Sequence, residues 1–77
     1  MEKINRKKIF ADICAQLIAV RQEKYFCQEE AARATGLSLK TIFLTESGHR
    51  LSALPLGELI NYAAVFNKKL EIRLTPL

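Results

Sequence analysis

The chain has 77 residues, of which 49% are hydrophobic, and a formal net charge of +4. This length suits a single small domain, which buries only about 60% of the surface that its unfolded chain exposes. Because such a domain is marginally stable alone, the high apolar content predicts that more apolar surface is buried by self-association. The sequence shows neither a membrane-spanning apolar run nor a secretory signal pattern. These features exclude a membrane protein, and we expect a cytosolic or nuclear one.

The positive charge lies at the two ends of the chain. Residues 1–8 hold four basic side chains and one acidic one, and residues 68–77 hold three and one. Residues 9–67, by contrast, hold five basic and six acidic side chains. The basic start is either an arm that grips phosphate groups or a solvated terminus.

Few residues suit catalysis or metal binding. Cys14 and Cys27 lack both CxxC spacing and a histidine partner, so we interpret them as packing residues. With one histidine and no paired acid and base at useful spacing, the sequence predicts no enzyme activity, no metal site and no cofactor.

The first predicted helix runs from about Arg6 to Lys24. Its apolar stripe recurs at three- and four-residue steps. The stripe consists of Ile9, Ile13, Leu17 and Val20, widened by Phe10, Cys14 and Ile18. Arg21 follows the stripe closely enough to be partly buried, and residues 25–27 form a short connector.

A second short helix opens at Gln28, and its small residues Ala31 and Ala32 let another helix approach closely. Gly36 suits the left-handed residue that ends such a helix. Ser38 can then accept a hydrogen bond from the first free amides of a third helix. We expect that third helix over about Leu39–Ser47, ending at Gly48.

Helix, glycine turn and capped helix over residues 28–48 predict a helix-turn-helix, which can place one helix in a DNA major groove. A plain pair of antiparallel helices would have the same pattern. After a loop, Pro55 suits the first turn of a fourth helix, and Asn67 suits a left-handed stop. The apolar face of this helix consists of Leu56, Leu59, Ile60, Ala63 and Phe66.

The tail changes to a two-residue period, which predicts a β-strand over residues 69–75. Leu70, Ile72 and Leu74 alternate there with polar residues, before Pro76 ends the pattern. A lone strand cannot satisfy its backbone groups, so the simplest partner is the same strand of a second copy, antiparallel about a two-fold axis. The alternative is a tail packed on the core.

A set of residues in correct register indicates a family. It comprises Arg21, Gln28, Ala31, Ala32, Gly36, Ser38, Glu46 and Gly48. With this set, residues 20–66 resemble the lambda-repressor-like (xenobiotic-response-element) helix-turn-helix family. The tail looks like that of HipB-type antitoxins, whose dimers add a small intermolecular β-sheet. The resemblance implies that residues 1–77 form one compact all-α domain of four to five helices, with a short C-terminal strand paired across a dimer.

The resemblance also implies roles for individual residues. Arg21 and Glu46 are expected to form a buried ion pair between the first and third helices. Gln28 is expected to meet a DNA phosphate at the start of the second helix. The remaining expected DNA contacts are Ser38, Leu39, Lys40, Thr41 and Leu44 in or beside the third helix, and His49 and Arg50 after it.

The chain departs from the family on its third helix. Leu39, Phe43 and Leu44 stand where family members usually place polar groups, and only Lys40 is of a type that recognises a base with two hydrogen bonds. Thr45 also takes a usually aliphatic place, and Tyr25 replaces a frequent glycine. We therefore weigh two functions for this surface.

The first is a dimeric, sequence-specific repressor that covers a palindromic operator in double-stranded DNA, within the cytoplasm of a bacterium or phage host. The tail indicates an antitoxin-type autoregulator, with a toxin as second partner. The alternative is a protein-interaction module of the same fold, whose third helix presents an apolar docking surface.

Overall fold

The computed structural model describes residues 4–48 and 56–76, and their secondary structure consists of four α-helices. The helices are α1 (Arg6–Gln22), α2 (Gln28–Thr35), α3 (Leu39–Ser47) and α4 (Leu56–Val65). The described part is therefore all-α, as the sequence predicts, and α3 packs against both α1 and α2. Three residues with a predicted role, His49, Arg50 and Pro55, lie outside the described ranges, as do residues 1–3 of the basic start.

Side-chain caps begin two of the helices. The Asn5 Oδ1 atom accepts a hydrogen bond of 3.1 Å from the Lys8 amide at the start of α1. At the start of α3, the Ser38 Oγ atom accepts one of 3.0 Å from the Thr41 amide. Each cap satisfies an amide that has no partner within its helix, which fixes where the helix begins.

Left-handed residues follow three of the helices. Gly36 has a φ of 81° after α2, Gly48 has 79° after α3, and Asn67 has 60° just beyond α4. The sequence predicted a left-handed residue at Gly36 and Asn67, and the end of α3 at Gly48. The Gly36 amide donates to the Ala32 carbonyl at 3.1 Å, which closes the last turn of α2 and starts the turn into α3.

The predicted end of α1 at Lys24 is wrong, because the helix ends at Gln22. The amides of Lys24 and Tyr25 both donate to the Arg21 carbonyl, at 3.1 and 2.9 Å. Two donors on one carbonyl tighten the chain into a turn in place of a further helical turn.

One apolar core lies between the four helices. Its buried members are Leu17, Ala31, Ile42, Leu59, Tyr62 and Phe66. The rings of Tyr62 and Phe66 are tilted, with centroids 4.9 Å apart, and Tyr25 adds a third ring 6.4 Å from Phe66. Aromatic residues thus hold α4 and the connector after α1 together.

Part of the predicted apolar faces is exposed. Ile9 of α1 is 49% exposed, and on α4 Leu56 and Ile60 are 41% and 53% exposed. The buried face of α4 consists of Leu59, Tyr62, Ala63 and Phe66. The sequence thus predicted Leu59, Ala63 and Phe66 correctly, but it placed Leu56 and Ile60 on the same face and left out Tyr62, whose hydroxyl donates to Glu46 inside the protein.

Residues 68–76 belong to no helix or strand in the single chain. Leu70 packs against the core, whereas Ile72 and Leu74 are 65% and 97% exposed. The Lys68 amide donates to the Ala63 carbonyl at 2.8 Å, which closes the end of α4 around the left-handed Asn67. A strand paired with a second copy needs that copy, so it stays a prediction.

Candidate nucleic-acid interface

The Glu46 carboxylate of α3 is the centre of a buried polar network. The Arg21 guanidinium of α1 binds it with two hydrogen bonds, from Nε to Oε2 at 2.8 Å and from Nη2 to Oε1 at 3.1 Å. Arg21 and Glu46 are only 5% and 4% exposed. The structure thus brings together the two residues that the family resemblance pairs, in the two-bond geometry that suits arginine and carboxylate.

Donors from the other two helices complete the network. The Gln28 Nε2 group of α2 donates to Glu46 Oε1 at 3.1 Å, and the Tyr62 hydroxyl of α4 donates to Glu46 Oε2. Each carboxylate oxygen therefore accepts two hydrogen bonds, which uses the acceptor sites of an ionised carboxylate. One side chain of α3 is bonded to all three other helices.

Arg21 also orders the connector before α2. Its Nη1 group donates to the carbonyls of Tyr25 and Phe26, at 3.1 and 2.6 Å. The hydrogen bonds from Arg21 to Glu46 raise the pKa of the guanidinium above its ordinary value, although burial lowers it. Among the described residues, no buried side-chain nitrogen or oxygen lacks a hydrogen bond. The ion pair is therefore well satisfied as well as buried.

The turn between α2 and α3 is closed by its own side chains. The Thr35 hydroxyl donates to the Ala31 carbonyl at 2.6 Å and accepts from the Leu37 amide at 3.3 Å. Together with the left-handed Gly36, these bonds set the direction in which the chain enters α3. The turn from α2 into α3 is thus held by local hydrogen bonds and one left-handed residue.

The two sides of α3 differ in chemistry. Its buried residues are Ile42, Thr45 and Glu46. At about 100° per residue, Lys40 and Ser47 point away from that side, and both are exposed. Leu39 and Phe43 lie one turn apart beside them and are 43% and 52% exposed, while Leu44 is half-buried. The outer surface of α3 therefore carries two large apolar side chains, one cation and one hydroxyl group.

The hydroxyl groups at the two ends of α3 are partly used by the fold. The Ser38 hydroxyl donates to Thr41 Oγ1 at 2.7 Å while accepting from the Thr41 amide. The Ser47 hydroxyl donates to the Leu44 carbonyl at 3.1 Å. Lys40, whose ammonium group is exposed, is left as the strongest hydrogen-bond donor on this surface.

Gln28 lies at the first position of α2, where the resemblance places a phosphate contact, but its amide is engaged with Glu46. Neither this bond nor that of Tyr62 was predicted from the sequence. The signal for Tyr62 was its place three residues after Leu59 and four before Phe66, a helical spacing for the core side. No local signal marks the bond of Gln28, because its acceptor lies 18 residues away.

The charge on the surface of α2 and α3 is balanced. Glu29 and Glu30 are exposed in the first turn of α2, and Arg33 and Lys40 are the exposed cations of the two helices. Glu46 is neutralised by Arg21. A cluster of exposed cations lies instead in the first turn of α1, at Arg6, Lys7 and Lys8.

The described residues show neither a metal site nor a membrane span. Within 4–48 and 56–76, no three His, Cys, Asp or Glu side chains are grouped so that they could hold a metal ion. In the same ranges, no helix has the length and apolarity that crossing a bilayer requires. No family model, curated protein or solved structure matches the chain.

Proposed function

We propose that this protein is a DNA-binding regulator of the lambda-repressor-like class, in which α3 enters the major groove. The observation that carries the proposal is the bonding of Glu46 to α1, α2 and α4 at once. A helix that reads DNA must keep its orientation when it is pushed into a groove, and one carboxylate bonded to three other helices serves that need. On the outer side of α3, Leu39, Lys40 and Phe43 are exposed.

A second feature supports contact with phosphates. Arg6, Lys7 and Lys8 occupy the first turn of α1, where the helix dipole disfavours cations, and no acidic residue offsets them there. Residues that oppose a local stability rule commonly serve function. A polyanion alongside this turn would make the three charges favourable, and duplex DNA is such a polyanion.

In the proposed mechanism two copies bind one palindromic operator. Residues 69–75 pair with their counterparts in the second copy, and the two α3 helices meet successive major grooves about one helical turn apart, roughly 34 Å. The protein then represses transcription by covering the operator. Because its tail resembles that of HipB-type antitoxins, we further propose that the protein represses its own gene and binds a toxin as a second protein partner.

Selection from a library of random duplexes at low salt tests this function. We expect a consensus with two-fold symmetry, because a symmetric dimer presents two identical α3 helices. A salt titration with the selected duplex should show affinity falling steeply as salt rises. The variant Lys40→Ala should weaken binding, whereas Lys68→Ala serves as a control, since the Lys68 ammonium group pairs with Glu23 at 3.3 Å. If no duplex is retained even at low salt, the proposal fails.

The exposure of Leu39 and Phe43 favours a second candidate, a protein-docking surface on α3. Apolar docking changes little with salt, because its driving force is the burial of apolar surface and not the release of counterions. Binding of a protein partner that is insensitive to salt and lost in Phe43→Ala, with no duplex bound, would favour this candidate over the regulator.

A further inference from the structure

We propose that this protein recognises its operator through the methyl groups of thymine, with Leu39 and Phe43 as the contacting side chains and Lys40 beside them as a hydrogen-bond donor. The inference rests on the proposed function, since it names the chemistry that α3 would read. It also gives a role to an apolar surface that an ordinary base-reading helix would not need.

The placement of the two apolar side chains supports contact with bases. Leu39 is the first residue of α3, and Phe43 lies four residues later on the same side. The N-terminal part of a recognition helix is the part that contacts base edges. With 43% and 52% of their surfaces exposed, both side chains can still bury apolar area against a partner.

Apart from the hydroxyl groups of Ser38, Thr41 and Ser47, which can contact bases without distinguishing them, the polar groups of α3 offer few alternatives to this contact. Adenine is recognised by Asn or Gln, and the amino group of cytosine needs an acceptor. Lys40 has donors only, and the carboxylate of Glu46 is buried with all its acceptor sites in use. Gln28 is likewise engaged with Glu46.

The readable features of the groove are therefore few. Lys40 can donate to O6 and N7 of guanine or to O4 of thymine, and the apolar pair can bury the C5-methyl group of thymine. Because that methyl is the apolar feature of the major groove, Leu39 and Phe43 match thymine and no other unmodified base. We expect thymines at the positions that face this pair in each half-site.

Replacement of thymine by uracil isolates the methyl group. Uracil keeps the pairing edge and the O4 acceptor and loses only the methyl. Each thymine that contacts the pair should therefore lose about threefold to fourfold in affinity when replaced, which is the fold-change for burying roughly one methyl group. Two such thymines should together lose about tenfold if they act independently.

The experiment uses the full chain and the duplex selected above, with each thymine replaced singly by uracil, and measures Kd by fluorescence anisotropy at one salt concentration. The variants Leu39→Ala and Phe43→Ala are compared with wild type and with Leu56→Ala. Leu56 is the matched control, because it is 41% exposed on α4 and Leu39 is 43% exposed on α3. Circular dichroism and thermal unfolding establish that each variant is folded.

The expected result is that certain uracil replacements weaken wild type and Leu56→Ala, and that this sensitivity disappears in Phe43→Ala or Leu39→Ala. A duplex bound equally well with thymine and with uracil would overturn the inference while leaving DNA binding intact. Methyl sensitivity that persists in both α3 variants would also overturn it. Failure to bind any duplex would overturn the proposed function itself, so the two failures are distinguishable.

Discussion

Tyr62 of α4 donates a hydrogen bond to Glu46 of α3, and this contact ties the fourth helix to the ion pair between the first and third. The Tyr62 hydroxyl oxygen also lies 3.2 Å from the Leu17 carbonyl of α1. Glu46 is therefore the structural centre of the domain, and its removal should affect the whole fold and not one helix pair.

Replacement of Glu46 by Gln should destabilise the protein by about 3–5 kcal/mol. The variant leaves the Arg21 charge buried without a counter-charge, and the new amide nitrogen faces groups that are themselves donors. Urea unfolding followed by circular dichroism measures the change in free energy. The control is Glu23→Gln, which removes a carboxylate that is 56% exposed and pairs with Lys68. It should cost only about 0–1 kcal/mol. Equal effects of the two substitutions would contradict the central role of Glu46.

Replacement of Tyr62 by Phe should cost about 1.5–3 kcal/mol, because it removes a hydrogen bond to a charged group and leaves the ring in place. Tyr25→Phe is the matched control: among the described residues, the Tyr25 hydroxyl makes no hydrogen bond, so its loss should have little effect. Thermal unfolding of both variants measures the difference. If Tyr62→Phe is as stable as Tyr25→Phe, the contact with Glu46 contributes nothing.

The titration of the Tyr62 hydroxyl should make the stability of the protein depend on pH. Burial, followed by the hydrogen bond to Glu46, raises the pKa of Tyr62 above its ordinary value of 10.0. Above pH 10.0 the unfolded chain loses the Tyr62 proton, whereas the folded chain keeps it. The contribution of this group to the free energy of unfolding is therefore fully present below the ordinary pKa and is lost as the pH rises above it. In that range, this one group should lower the free energy of unfolding by about 1.4 kcal/mol per pH unit.

Urea unfolding at a series of pH values from neutral to alkaline tests this dependence. Wild type and Tyr25→Phe should lose stability more steeply above the ordinary tyrosine pKa than Tyr62→Phe, which has no proton to lose at that position. Parallel curves for all three proteins would show that Tyr62 does not carry the alkaline dependence.

The two glycines Gly36 and Gly57 should respond in opposite directions to alanine. Gly36 has a φ of 81°, so Gly36→Ala should cost about 1–2 kcal/mol from backbone strain, even though nothing lies within 4 Å of the added methyl. Gly57 lies in the first turn of α4 with equally open space. Gly57→Ala should stabilise the protein by roughly 0.5–1 kcal/mol through helix propensity. Chemical unfolding of the two variants should give changes of opposite sign, and a neutral Gly36→Ala would contradict the left-handed turn.

Self-association through the tail can be tested by introducing negative charges on the apolar side of residues 70–74. Ile72 and Leu74 are exposed, so the double variant Ile72→Glu, Leu74→Glu should stay folded as a single chain. In a dimer it would place like charges opposite each other across the two-fold axis, and sedimentation should then report a monomer. Thr75→Glu, on the alternate side of the strand pattern, should leave the dimer intact. An unchanged mass in the double variant would rule out residues 69–75 as the main dimer contact.

Local signals in the sequence predicted the helices well. Ser38 caps α3, and Gly36, Gly48 and Asn67 follow their helices in the left-handed conformation. Such positions are predictable because caps and left-handed residues depend on the side chain present and on neighbours a few residues away. The end of α1 was placed two residues too late, since it depends on amides that compete for one carbonyl.

The apolar faces were predicted less well. Periodicity identified Leu59, Ala63 and Phe66, but it also included Ile60, which is 53% exposed, and missed Tyr62. Hydrophobic spacing defines a stripe on a helix, and where several stripes overlap, only the neighbouring helices decide which one is buried.

The sequence by itself thus determined the order of the four described helices, the turn at Gly36 and the apolar character of α3, all of which depend on local residue types. Only the tertiary structure decided that Gln28 and Tyr62 would join Arg21 on Glu46, and that Leu39 and Phe43 would stay exposed. These outcomes depend on residues 16–25 positions apart in the chain. Their contacts form only when the helices pack, so no spacing rule within one helix can predict them.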